Sequence, residues 1–169
     1  MCFRTLLKEM FTIARIIPNE NSWLGFSTSI ASKTAPTAAE MTAAVNVTPM
    51  LISINASSQG NTVPTPTLDT LFETSVSGTS TATFSADFYR DTTADTAWNT
   101  LPRGTSGWFI ISRFGGAGTA NKPIATDVVE VWPVAVTSRT NSNMSSNQVL
   151  TFTVTCSVAT EPAEASTVV

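Results

Sequence analysis

The chain contains no histidine, and that single absence removes the commonest general base, the Ser-His-Asp triad and every His-ligated metal site together. Charge is scarce as well: Asp, Glu, Lys and Arg make up 12% of the residues, against about 25% in average globular proteins. With 9 basic and 12 acidic side chains the net charge is −3, so no basic surface is on offer to neutralise nucleic-acid phosphates. Cysteine is nearly absent. Cys2 and Cys156 form no metal-ligand spacing, and Cys156 has Val154 and Val158 at period two, so it reads as a small buried hydrophobe. No apolar run is long enough for a membrane helix. Lys8, Glu9 and Arg15 interrupt the first 17 residues and deny them the unbroken apolar core of a signal peptide. That segment is expected either to form a short amphipathic helix from Phe3, Leu6, Leu7 and Met10 or to precede a true start at Met10.

What the chain does have is Val, Thr, Ser and Phe in strand-like runs. Residues 127–136 and 148–159 are dense in Val, Thr, Phe and Trp and bounded by turn formers, which predicts the two longest strands of a sheet. The link at 138–147 carries Arg139 and is otherwise polar apart from Met144, so a surface loop is expected there. Strands are also expected at 12–17, 22–32, 45–57 and 107–114. Residues 68–76 and 79–90 read as a hairpin about Ser77-Gly78. In its second arm Ala82, Phe84, Ala86 and Phe88 alternate with Thr81, Thr83, Ser85 and Asp87. Residues 58–66, rich in Gly, Asn and Pro, are expected as an exposed loop.

Helical signals are few. Thr37 and Glu40 have capping-box spacing and predict a short helix to about Ala44. Ala94, Ala97, Trp98 and Leu101 recur at three and four residues, and Pro102 closes a helix over 91–101 that packs by Trp98 and Leu101 against the sheet. Gly115, Gly116 and Gly118 form a flexible corner. No repeat and no second domain is visible, so the whole of 1–169 is expected to be one mainly β domain, a β-sandwich or rolled sheet with one flanking helix. Residues 1–11 form an extension or arm, and 160–169 a flexible tail.

Candidate chemistry is thin. Asp69 and Glu73 would share a strand face, but exposed carboxylates on a strand are usually just solvated. The glycines at 115, 116 and 118 lack the Lys and Ser/Thr of a phosphate loop. Trp108 and Trp132 lie in runs so apolar that core or interface is the better reading than sugar stacking.

Pro36 to Glu40, Tyr89-Arg90-Asp91, Leu101 to Thr105, Val131 to Val134 and a final Thr/Val strand follow one another in an order that resembles the major tail tube proteins of long-tailed bacteriophages, especially those of actinobacteria. The resemblance covers residues 13–159. It implies a non-enzymatic structural virion protein without cofactor or metal, which forms hexameric rings stacked into a tube that carries DNA to the host. The implied partners are other copies of the chain, the tape-measure protein and the tail initiator and terminator proteins, with non-specific passage of DNA and no membrane contact. Assembly is expected in the host cytoplasm.

On that reading the faces Thr81, Thr83, Ser85, Asp87 and Thr151, Thr153, Thr155, Ser157 suit a lumen wall, because they are short, polar and free of positive charge. Alternation says which side is polar, not which water it meets, so an outer face is the other reading. The loop Gln59, Gly60, Asn61, Thr62, Val63, Pro64 and Thr65 is the candidate contact between rings. The competing class is a monomeric immunoglobulin-like virion decoration or adhesion module; a hydrolase is a remote third.

Overall fold

The computed structural model describes residues 21–66 and 74–169. The expected strand at 12–17 and the carboxylates Asp69 and Glu73 lie outside the described residues. In chain order the elements are β1 (Trp23–Ser27), α1 (Ala38–Ala43), β2 (Val45–Asn46), β3 (Leu51–Pro64), β4 (Ser75–Tyr89), α2 (Thr96–Thr100), β5 (Ser106–Ser112), β6 (Val128–Asn141), β7 (Thr151–Val158) and β8 (Ala163–Thr167). All strand pairs are antiparallel, in the order β2-β1-β5-β6-β7-β4-β3, with β8 added on β6.

Strand β6 explains why its sequence is apolar without alternation. One of its edges carries β5 at 130–135; the other carries β8 near its start and β7 from Val134 onward. Val129 and Val131 enter a core under α1 with Trp23, Met41, Ile110 and Val168. Trp132, Val134 and Val136 enter the main core on the other face, with Phe26, Phe84, Phe109 and Phe152. Both faces are buried, so both parities must be apolar. The sheet rolls until β4 meets β5 across the main core through Phe84 and Phe109. Both tryptophans of the β5–β6 pair are accounted for here: Trp132 is in the main core and Trp108 packs, half-buried, on the second.

The first helix begins as its sequence predicts. The Thr37 hydroxyl accepts the Glu40 N–H at 3.2 Å, and the Glu40 carboxylate accepts the N–H groups of Thr37 at 2.7 Å and Ala31 at 2.6 Å. These donors hold Glu40 below the usual carboxylate range, the Thr37 backbone contributing most. A helix this short does not hold itself; Met41, fully buried beneath it, ties it to the sheet.

Several expectations are corrected. Both expected helices are present, but α2 covers only the 5 residues Thr96–Thr100 of the expected span 91–101. Asp91 accepts the Thr93 N–H at 2.7 Å ahead of the helix, and the Oδ2 of Asp95, the residue at the N-cap, accepts from Arg90 Nε at 2.5 Å. Leu101 is buried as expected, and Trp98 meets Phe152 edge-on with centroids 5.1 Å apart. Residues 58–64 are no loop: they continue β3, paired with β4 through to Pro64↔Ser75. A register shift between Gly60 and Thr62 sets Asn61 against both Gly78 and Thr79, one residue more on β4, and Pro64 stands at the strand end, where its missing N–H costs no ladder bond. Ser77-Gly78 is accordingly not a turn but part of β4. A Cβ on Gly78 would sit 3.1 Å from the Asn61 carbonyl oxygen.

The tail from 160 is not loose. Strand β8 takes the edge of β6 that β7 leaves open, and Val168 fills the second core. Beyond it Val168 exchanges hydrogen bonds with Asp127 and Thr126, and Val169 with Pro36 and Ala38. The surface link shrinks to 142–150, because β6 runs to Asn141 and turns Arg139 inward. The Arg139 guanidinium lies 3.4 Å from the Trp98 ring centroid and donates to the Trp98 carbonyl at 2.7 Å. The Arg90 guanidinium also lies over that ring, 3.7 Å from its centroid. The glycine corner is tightly packed: a Cβ on Gly115, whose φ is +73°, would meet the Asn21 carbonyl oxygen at 2.0 Å.

Candidate functional site

Residues paired directly across antiparallel strands share a face, and the register brings the two polar sets together. Thr83 faces Ser157, Ser85 faces Thr155, Asp87 faces Thr153, and Tyr89 faces Thr151. The same rows extend in both directions. On β3, Ser53, Asn55, Ser57 and Gln59 pair with Asp87, Ser85, Thr83 and Thr81; on β6, Ser138 and Thr140 pair with Thr155 and Thr153. The result is a continuous four-strand wall of hydroxyls and amides over the main core. Ser53, Asn55, Ser57, Ser138 and Thr140 were missed from sequence. The alternation of Ile52, Ile54 and Ala56 with Ser53, Asn55 and Ser57 was the signal for the first three.

The one charge in these rows is Asp87. Its carboxylate accepts the Ser53 hydroxyl at 2.6 Å and the Thr153 hydroxyl at 2.5 Å, tying β3, β4 and β7 in one row. Those two hydrogen bonds, Ser53 first, pull its pKa below the ordinary value. Ser57 and Thr83 join hydroxyls at 3.1 Å further along. Lys and Arg side chains stand elsewhere among the described residues. Lys33 donates to the Glu161 carbonyl, Arg113 pairs with Glu130, and Lys122 reaches the Thr42 carbonyl. Arg103 is in the link from α2 to β5, and Arg90 and Arg139 flank Trp98.

Two further features belong to this sheet. The outer edge of β3 pairs with no strand among the described residues, and it carries no Lys and only the terminal Pro64 to block pairing with another chain. Strand β7 pairs with β4 only from Thr83 onward, so Ser75 to Ala82 and their β3 partners project as a two-stranded ribbon. All seven residues of the candidate contact, Gln59 to Thr65, are exposed; the first six lie in this ribbon, and Thr65 closes on Thr74 just beyond it. No group of three or more Cys, Asp or Glu gathers to hold a metal among the described residues.

An open sheet edge, a polar face whose one charge is Asp87 and a ribbon with no third strand among the described residues are surfaces suited to meeting other chains. The chain belongs to the phage tail tube protein family, whose family model matches residues 10–169. Two solved structures resemble it in fold. The tail of an empty gene transfer agent (GTA) particle, with C6 symmetry, has a TM-score of 0.56 at 12% identity over 89% of this chain and 98% of that one. The virion of a native GTA particle has a TM-score of 0.54 at 12% identity over 86% of this chain and 95% of that one. No curated protein matches the sequence. The protein is thus a structural component of a viral tail, built on the tail tube fold.

Proposed function

We propose that the chain closes into hexameric rings that stack as the tail tube, with the wall around Asp87 facing the lumen through which DNA passes. The observation that carries this is the charge pattern of the wall: hydroxyls and amides on four strands, one carboxylate and no cation. A conduit must not hold its cargo, and each Lys or Arg facing a phosphate would add salt-dependent attraction. The C6 symmetry of the similar GTA tail supports six copies per ring, and the unblocked β3 edge supports sheet extension between them. A heterologous contact whose rotation closes yields a ring with flat faces free to stack.

In this reading the whole chain acts as one tube domain with 1–11 as an arm, and the segment Gln59 to Thr65 works between rings, now as a stiff ribbon rather than a loop. Assembly takes place in the host cytoplasm, and length and ends are set by tape-measure, initiator and terminator proteins. Electron microscopy of the purified protein is expected to show rings or tubes; a strictly monomeric species at high concentration in the presence of its initiator would refute the reading. The lumen assignment has its own test. Asp87→Lys virions are expected to eject DNA slowly at low salt and to recover as salt screens the added charge. Normal low-salt ejection from virions carrying the substitution would put this wall outside the channel.

A further inference from the structure

We infer that the exposed end of the β3–β4 ribbon docks on the 142–150 loop of a second copy, a contact that rests on the tube reading and names its two surfaces. Val63 and Val76 are register partners and so share one ribbon face, where they are 48% and 54% exposed. A two-stranded ribbon is marginal by itself in water, and nothing among the described residues covers this face.

The opposite end of the same sheet carries a matching surface. In the 142–150 loop Met144 is 88% and Val149 67% exposed, beside Tyr89 at 44%. The loop is held in place rather than trailing. Ser142 N–H donates to the Thr151 carbonyl at 2.8 Å, Thr151 N–H to the Ser142 hydroxyl at 3.0 Å, and Arg90 N–H to the Leu150 carbonyl at 2.9 Å.

Among the described residues neither surface is charged: residues 59–64, 75–82 and 142–150 contain no Asp, Glu, Lys or Arg. These residues therefore meet without desolvating a charge, and each surface offers apolar side chains rimmed by Ser, Thr, Asn and Gln, the usual make-up of an interaction patch. Within one chain they cannot meet. Val76 and Tyr89 lie on the same strand, roughly 40 Å apart at about 3.3 Å per residue. Two different patches at opposite ends of a rigid sheet give a head-to-tail contact, which propagates as a stack instead of closing as a two-fold pair.

The test is a cysteine pair, Val76→Cys with Val149→Cys, in a chain whose Cys2 is replaced by Ser. Cα atoms must come within about 7 Å for a disulfide, so any bond between these positions is intermolecular. Oxidised tubes are expected to give a ladder of linked chains on a non-reducing gel, with none from dilute monomer. Single chains alone from oxidised tubes would overturn the proposal. A second pair guards against a cysteine variant that does not fold. Val76→Glu is expected to abolish tubes at low salt while rings persist, and adding Val149→Lys in the same chain to restore them; wild-type tube length from Val76→Glu would overturn the proposal. Absence of any tube from the wild-type protein with its initiator would instead strike the tube reading, and this contact with it.

Discussion

Phe84 of β4 and Phe109 of β5 stack with ring centroids 4.5 Å apart and planes 12° from parallel, although β6 and β7 lie between their strands in the sheet. That contact is where the sheet closes on itself. It puts Ser85 and Asp87, which point the other way on β4, on a surface backed by a packed aromatic core rather than on a flexible flap. The stiffness of the wall follows from the core beneath it.

Truncating that core should be costly. Phe152 is 1% exposed, with its ring 5.3 Å from Phe88 and 5.1 Å from Trp98. Phe152→Ala is expected to lose about 3–5 kcal/mol, seen as a lowered denaturant midpoint. An unchanged midpoint would mean that the facing of β7 is wrong. Phe84→Ala should fall in the same range.

Replacing Arg139 tests the inward turn of β6. Arg139→Lys keeps the charge but loses the flat stack on Trp98 and the geometry of its bond to the Trp98 carbonyl. A loss of about 0.5–2 kcal/mol is expected, read by urea unfolding; a neutral result would show that the stack contributes nothing.

The cap of α1 is a local and separable contribution. Thr37→Ala removes the acceptor for the Glu40 N–H and is expected to cost about 1 kcal/mol, whereas Thr37→Ser should recover most of it.

Asp87 makes the wall sensitive to acid. Its folded pKa is depressed by the Ser53 and Thr153 hydroxyls, so its stabilising contribution is fully present above the unfolded pKa and is lost as pH falls through the lower folded value. Below about pH 4 the wild type should therefore lose stability more steeply than Asp87→Asn. Parallel acid limbs in thermal melts of the two proteins would remove the carboxylate from this role.

Shortening the ribbon separates folding from assembly. Removing residues 59–65 together with their partners on β4 deletes mostly exposed surface, so the unfolding midpoint should barely move while long tubes are lost. Wild-type tube length from the shortened protein would contradict the inter-ring role, and unfolding would show that the ribbon supports the body.

Local signals carried much of this protein. The capping box at Thr37 and Glu40, the alternation in β4 and the apolar parity of Phe152 and Val154 each need only neighbours within a few residues, and each is found where the sequence places it. The absence of histidine and the scarcity of charge likewise bounded the function before any fold was known. Other features had partners too distant to read. Residues 58–64 look like a loop because Gly, Asn and Pro are poor in an isolated strand, yet β4 supplies their hydrogen bonds. Residues 163–167 look like a loose tail because the edge that holds them belongs to β6, whose partner residues Val128, Val129 and Val131 stand far earlier in the chain. Arg139 looks like a surface cation until Trp98, 41 positions away, lies under it. Sequence determined which faces are apolar and which are hydroxyl-bearing, since that is a matter of period; only the tertiary structure decided which strands stand side by side, and thus that separate polar rows on β3, β4, β6 and β7 become one wall, because register is set by long-range pairing and by the burial of both faces of β6.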